Sequence, residues 1–407
     1  MKMRKRIGIL VGGGDVPGLN NCLKSLVYKL IDDGYDTIGV RKGWEGLIKY
    51  NPQDPTTYGD NFIELTKALV RPIDRTYGSF LHSSRIDPLK TPAILIPEAL
   101  RGGDSDPQDM TDHIKQVFER LDFEALVALG DDDMLIYAAH LSEAGVPIIG
   151  IPKTIHNNIN GTDYTIGFST GLARGVAFIH ELRALAGSRE QIIVVETFGV
   201  GSGFSSLMIS YLAGVDRAVI PEVPYDPIQL SHLLLQDKIT NPGNYAIVTV
   251  CDGARLDMDK TDDYLPQLSA QNQAWIKPQL ESLKGESAGS GATAGKKFLP
   301  SSGVAATELL QALTGEEVFI QSLTYLLRTG EPDGQDMLGA INFAFMAARL
   351  LNEEKYGTMT AYQQKDLYTC VPLNQVAKKI KTVDLDLMYD PENYKPKIEI
   401  IWAAQES

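Results

Sequence analysis

Short unbroken apolar runs alternate along this chain with stretches that carry apolar residues at helical spacing. Ile7–Val11 is the first such run, and an unbroken run of this length is what a strand covered on both faces requires. Leu19, Leu23, Leu26 and Leu30 follow at three- and four-residue intervals, the mark of a helix with one buried stripe. Leu126–Leu129 and Val146–Ile151 repeat the strand pattern, and Leu135–Ala144 between them reads as a helix stopped by Gly145. Ile192–Val195 and Ala246–Val250 continue the series. Strand, helix and strand at this pacing predict an α/β chain with parallel sheets flanked by helices, and ligands at the carboxyl ends of the strands. Met258–Pro300 breaks the pattern. It contains GESAGSGATAGKK and reads as a long loop or lid with a short helix around Trp275–Leu283.

A length of 407 residues favours two lobes. Hydrophobic residues at 43% and charged residues at 22% are ordinary for a globular chain. The net charge of −14 argues against a nucleic-acid coat protein but leaves room for a small phosphate pocket lined by local donors. Cys22, Cys251 and Cys370 lie far apart, without metal-ligand spacing, and read as reduced thiols. The basic start precedes an apolar run too short for a secretory signal or a membrane span, so a cytoplasmic protein that binds no membrane is expected.

Three loops at strand ends carry the candidate chemistry. Gly12-Gly13-Gly14-Asp15-Val16-Pro17-Gly18 joins the first strand to the first helix, where glycines let backbone N–H groups approach a phosphate. Gly130-Asp131-Asp132-Asp133 follows the second run. Adjacent carboxylates there fit either a hard cation such as Mg²⁺ or a solvated acidic helix start. Pro152-Lys153-Thr154-Ile155-His156-Asn157-Asn158 follows the third and concentrates a cation, a hydroxyl, an imidazole and two amides.

These blocks, with Gly43-Trp44-Glu45-Gly46-Leu47, Gly78–Arg85, Gly161-Thr162-Asp163, Gly167-Phe168, Val195-Glu196-Thr197, Pro221-Glu222 and Arg328 with Gly330, Pro332 and Asp336, resemble the phosphofructokinase family. The resemblance implies a two-lobed, Rossmann-like α/β fold. Residues 1–167 with about 331–385 would form the lobe for diphosphate and Mg²⁺. Residues 168–330 with the tail 386–407 would form the acceptor lobe, and 258–300 an insert. It further implies donor binding by Gly13, Gly14, Asp15, Gly130, Asp131, Asp132 and Asp133, with Mg²⁺ on Asp132. Arg85, Lys153 and Thr154 would handle the transferring phosphoryl group. Within the family, an aspartate at Asp133 and a lysine at Lys153 accompany diphosphate rather than ATP. A carboxylate at Asp133 repels a nucleotide's α-phosphate, and Lys153 adds a point charge suited to a short donor. Arg41 stands where ATP users often place an aromatic residue.

The acceptor side departs from the family. His156 replaces the aspartate that serves as general base, and histidine is a competent base near neutral pH. Asn158 replaces a second carboxylate. Phe198-Gly199-Val200 replaces Met-Gly-Arg. Gln191 and Phe319 replace two arginines that reach the acceptor's phosphate from a neighbouring subunit. Tyr325, Arg328 and Glu222 remain as acceptor ligands. Three lost charge-assisted contacts, at roughly 1.5–3 kcal/mol each, predict an acceptor other than fructose 6-phosphate, a sugar, polyol or nucleoside. The expected protein is thus a Mg²⁺-dependent phosphotransferase using diphosphate, less readily ATP, and assembled as a homodimer or homotetramer. The alternatives are a diphosphate-dependent 6-phosphofructokinase with an atypical site and a non-catalytic ligand-binding or regulatory homologue.

Overall fold

The computed structural model describes residues 4–101, 106–270, 273, 274, 277 and 301–397. The short helix expected around Trp275–Leu283 lies outside the described residues but for Lys277.

In chain order, β1 (Arg6–Val11), α1 (Leu19–Asp32), β2 (Asp36–Val40), α2 (Trp44–Lys49), β3 (Phe62–Leu65), α3 (Thr111–Arg120), β4 (Phe123–Gly130), α4 (Asp132–Glu143) and β5 (Ile148–Pro152) come first. The helix α5 (Phe168–Arg189) follows. Next come β6 (Ile192–Thr197), α6 (Phe204–Ala213), β7 (Arg217–Val219), α7 (Pro227–Thr240), β8 (Ala246–Cys251), α8 (Ser302–Thr314) and β9 (Val318–Ser322). The chain ends with α9 (Gly334–Asn352), β10 (Thr358–Gln363), β11 (Leu367–Pro372), β12 (Tyr389–Asp390) and β13 (Lys395–Pro396). It divides into two compact units, residues 1–170 with 328–381, and residues 171–327 with 382–407.

The first unit holds a seven-stranded sheet in the order β11-β10-β5-β4-β1-β2-β3. Its five central strands are parallel, while β3 and β11 run antiparallel at the edges. The sheet is therefore mixed rather than purely parallel. Strand β4 is covered on both faces along nearly its whole length, which is why Ala125–Leu129 within it is an unbroken apolar run. Helix α1 buries Leu19, Leu23, Leu26 and Leu30, as its spacing predicts, together with Cys22 and Val27. Helix α4 starts at Asp132, three residues before the predicted start. The Asp131 side chain accepts from the Met134 amide and so caps the helix.

The second unit holds a four-stranded parallel sheet in the order β7-β8-β6-β9. Strands β6 and β8 are fully buried. Of the expected loop or lid at 258–300, the stretch to residue 270 is described. Met258–Lys260, Thr261–Tyr264 and Leu265–Gln267 form successive short helical turns. Tyr264 and Leu268 pack into a small apolar cluster with Leu309, so two large side chains at that end of the segment anchor it.

Candidate active site

The first unit converges three strand ends. The β1–α1 loop is bound to its neighbours through its backbone. The Gly13 amide donates to the Ser84 carbonyl at 3.1 Å, and the Gly14 amide donates to Asp131 Oδ2 at 3.1 Å. Ser83 donates to the Gly13 carbonyl, and the Ser79 amide donates to Asp15 Oδ1 at 3.2 Å. Gly13 has a φ of +79°, and a Cβ there would collide with the Asp131 carboxylate, so this position requires glycine twice over.

Lys153, at the end of β5, is fully buried and donates from Nζ to the Gly14 carbonyl at 2.6 Å. Burial lowers its pKa to about 8, helped by the positive charges of Arg328 and Arg85 and opposed by Asp131. It keeps its proton at neutral pH. A methyl group on Gly14 would collide with a terminal nitrogen of Arg328 and lie 3.0 Å from one of Arg85. Three cationic side chains therefore surround one glycine of the first loop. Arg328, grouped above with the acceptor ligands, belongs to this cluster.

The three carboxylates of the second loop do not converge. Asp131 turns to the Gly14 amide and caps α4. Asp133 senses the Arg85 charge, yet burial and then Asp131 raise its pKa. Asp132 accepts from Asn158 Nδ2 at 3.2 Å, and burial, then Asp131 and Asp133, raise its pKa to about 6. Asn158 is 6% exposed, and its buried Oδ1 has no hydrogen-bond partner. This places Asn158 beside the carboxylate expected to hold the metal. No three His, Cys, Asp or Glu side chains form a metal cage among the described residues. Mg²⁺ usually takes one or two carboxylates and completes its shell with water and phosphate. A desolvated carboxylate beside an unpaired amide oxygen is a fitting place for it.

Thr154 is buried. Its Oγ1 accepts from the His156 amide at 3.2 Å, and its carbonyl accepts from Thr165 at 2.6 Å. His156 Nε2 accepts from a terminal nitrogen of Arg328 at 3.2 Å. Desolvation, then the charges of Arg328 and Arg85, push the imidazole pKa down to about 3. Both effects work against the base expected near neutral pH. The ring is neutral there, but its Nε2 lone pair is engaged and its conjugate acid is strongly disfavoured.

In the second unit, Phe198 and Tyr325 meet edge to face with centroids 5.5 Å apart. The Gly199 amide donates to Asp252 Oδ1 at 2.7 Å. Glu222 is engaged by backbone amides of the second unit. Its carboxylate takes the Gly203 amide at 2.9 and 3.1 Å and the Val383 amide at 3.0 Å. Gln191 is 5% exposed and immediately precedes β6, and Phe319 is the second residue of β9, paired with Ile193. Phe198 follows the opposite end of β6, roughly 23 Å away at the usual rise per residue. Gln191 and Phe319 thus do not join Phe198 and Gly199 within one chain. Asp252 escaped the sequence reading although it directly follows the β8 strand, the same strand-end position that singled out the loops of the first unit.

The phosphofructokinase family profile matches residues 6–351. The chain belongs to the phosphofructokinase family. Within it, the chain is 30% identical over 381 residues to a pyrophosphate–fructose 6-phosphate 1-phosphotransferase of Dictyoglomus thermophilum, covering 94% of this chain and 96% of the relative. It is 28% identical over 379 residues to ATP-dependent 6-phosphofructokinase 3 of Streptomyces coelicolor, covering 93% and 96%. The structure of a pyrophosphate-dependent phosphofructokinase from Nitrosospira multiformis superposes with a TM-score of 0.72 at 14% identity, over 97% of this chain and 89% of that one. The phosphofructokinase fold expected from the motifs is therefore present, in a family of kinase-type phosphotransferases. One relative's name carries fructose 6-phosphate and the other's reads 6-phosphofructokinase, and neither supports a different acceptor. No described helix is long and apolar enough to cross a membrane.

Proposed function

We propose that this protein is a Mg²⁺-dependent phosphotransferase that moves a phosphoryl group from diphosphate to fructose 6-phosphate. The observation that carries the donor half is the cluster of Lys153, Arg85 and Arg328 around Gly14. Phosphoryl transfer has a loose transition state and asks mainly for positioning and charge stabilisation. Lys153 and Arg85 neutralise charge on the transferring group. Asp132 with Asn158 Oδ1 would hold Mg²⁺, which supplies further neutralisation of the phosphate oxygens. With His156 a weak base, proton removal from the acceptor is poorly assisted, and turnover is expected at the slow end for the family. The acceptor half rests on the relatives, one named for fructose 6-phosphate and the other as a 6-phosphofructokinase.

A second reading, transfer to a less anionic sugar, polyol or nucleoside, is favoured by one observation. Gln191, Val200 and Phe319 supply no cation where a sugar phosphate needs several. Phosphorus NMR separates the readings. Diphosphate, Mg²⁺ and fructose 6-phosphate should yield orthophosphate and a new phosphate ester, faster than with ATP. Asp133→Gly should shift the preference toward ATP, and Asp132→Asn should remove the Mg²⁺ dependence of diphosphate binding. No ester with fructose 6-phosphate, but one with an uncharged hydroxyl compound, would establish the second reading. Silence with every acceptor and intact diphosphate binding would mark a regulatory homologue.

A further inference from the structure

Each amide of the three consecutive glycines in the β1–α1 loop already has an acceptor within the chain. The Gly12 amide donates to the Leu129 carbonyl and the Gly13 amide to the Ser84 carbonyl, both at 3.1 Å. The Gly14 amide donates to Asp131 Oδ2, also at 3.1 Å. The first two acceptors are backbone carbonyls. The third is a side-chain carboxylate, an anionic group like the phosphate that a loop of this kind suits.

The surroundings are shaped for that carboxylate. A Cβ on Gly13 would fall directly on it, so the missing side chain of Gly13 makes room for Asp131. The backbone around it is wedged. Met134 is 4% exposed and packs where Gly12 and Gly130 would each carry a Cβ, which locks the strand end, the loop and the start of α4 together. Asp131 also acts on Lys153, whose pKa its charge raises against the burial that lowers it. Lys153 in turn donates to the Gly14 carbonyl at 2.6 Å. The N–H of Gly14 is thus held by a carboxylate and its C=O by an ammonium.

We propose that the Asp131 carboxylate is a built-in competitor of the donor's phosphate: it takes the Gly14 amide that a phosphate would use, and a phosphate reaches that amide only by displacing it. Asp131, expected among the donor's ligands, then opposes donor binding. This rests on the donor reading only in sending a phosphate to this loop. The wedge at Met134 confines the change to a rotation of the Asp131 side chain. Its other bond, from the Met134 amide at 3.4 Å, is long and weak, so the Gly14 amide is the main contact given up. Two like charges brought to one amide repel, and Lys153, Arg85 and Arg328 supply the attraction that draws the phosphate in.

Calorimetry on the full chain tests this, with inorganic diphosphate and with orthophosphate, each with and without Mg²⁺. Asp131→Ser keeps a good helix cap, but its oxygen stops one bond short of the Gly14 amide. It should bind both probes about tenfold or more tightly than the parent. Asp131→Asn keeps the cap and an acceptor oxygen, removes only the charge, and should gain less, about threefold. Thermal melts establish that each variant is folded at the titration temperature. If the parent prefers ATP to diphosphate, the donor reading fails, while a gain with orthophosphate still upholds the competitor. A gain seen only with Mg²⁺ would belong to metal loading at Asp132 and would count against it. Phosphate binding by both variants that is absent, equal to the parent's or weaker would overturn the proposal and leave Asp131 a helix cap alone.

Discussion

Arg328 donates to Nε2 of His156 at 3.2 Å, so a cation of the cluster around Gly14 holds the residue expected to act as base. The pairing fixes His156 in its neutral form. A folded-state pKa of about 3 against the ordinary 6.5 means that the unfolded chain binds the extra proton first. His156 therefore costs no stability above pH 6.5, and stability is lost as pH falls from 6.5 toward 3, by at most about 1.4 kcal/mol per pH unit. Asp132 acts with the opposite sign. Its pKa rises from 3.8 to about 6, so folding is relieved as pH falls through that window. His156→Asn should flatten the acid loss and unmask the Asp132 gain. Urea midpoints at pH 7, 6 and 5 check this, and parallel pH profiles for parent and variant would rule it out.

Gly14 and Gly13 predict opposite phenotypes from the same substitution. Gly14 has ordinary φ, and the groups a Cβ would strike are the far ends of Arg328 and Arg85. Gly14→Ala should therefore fold with unchanged or slightly raised stability while displacing both guanidinium groups and weakening diphosphate binding about tenfold or more. Gly13→Ala meets a left-handed φ and the Asp131 carboxylate that caps α4. It should lower stability by about 1–3 kcal/mol. Calorimetry and thermal melts on the two variants decide both points.

Glu222 is predicted to be structural. Its carboxylate joins the amides of Gly203 and Val383, tying the start of α6 to the final stretch of chain. Glu222→Gln keeps one acceptor oxygen and should cost roughly 1–3 kcal/mol, with an acceptor KM unchanged within twofold. A large KM effect without a stability loss would return Glu222 to the acceptor site.

Sequence legibility followed burial. β1, β4, β5, β6 and β8 are covered on both faces, so their apolar runs are unbroken and mark them. β3, β9, β10 and β11 were missed because much of their surface is half-exposed and polar residues interrupt the pattern, as in Val318–Ser322 and Thr358–Gln363. In the candidate site, which residues stand near a phosphate could be read from strand-end position. What each one touches could not. The Lys153 ammonium on the Gly14 carbonyl, the Glu222 carboxylate on two amides and the His156 ring against Arg328 all depend on residues 19 to 172 positions apart. Local pattern carries no information about such pairs.

The acceptor question turns on three positions and on where they lie. Val200 is 73% exposed, so Val200→Arg costs little burial and should fold without penalty. Gln191 is nearly buried beside the start of β6, and Gln191→Arg must desolvate a guanidinium unless a partner or a bound phosphate meets it. Gln191 and Phe319 lie at the other end of their strands from Phe198, so a restored clamp needs two chains. The triple variant Gln191→Arg, Val200→Arg and Phe319→Arg should bind fructose 6-phosphate at least tenfold more tightly than the parent, and only at concentrations where it is oligomeric. Val200→Arg alone should give a smaller gain in the same direction. If the parent already turns over fructose 6-phosphate at about 1 s⁻¹ or more, the lost arginines were dispensable and the first reading stands. If the parent is inactive and the triple variant binds no better, those three positions do not face the acceptor's phosphate, and the argument for an altered acceptor falls with them.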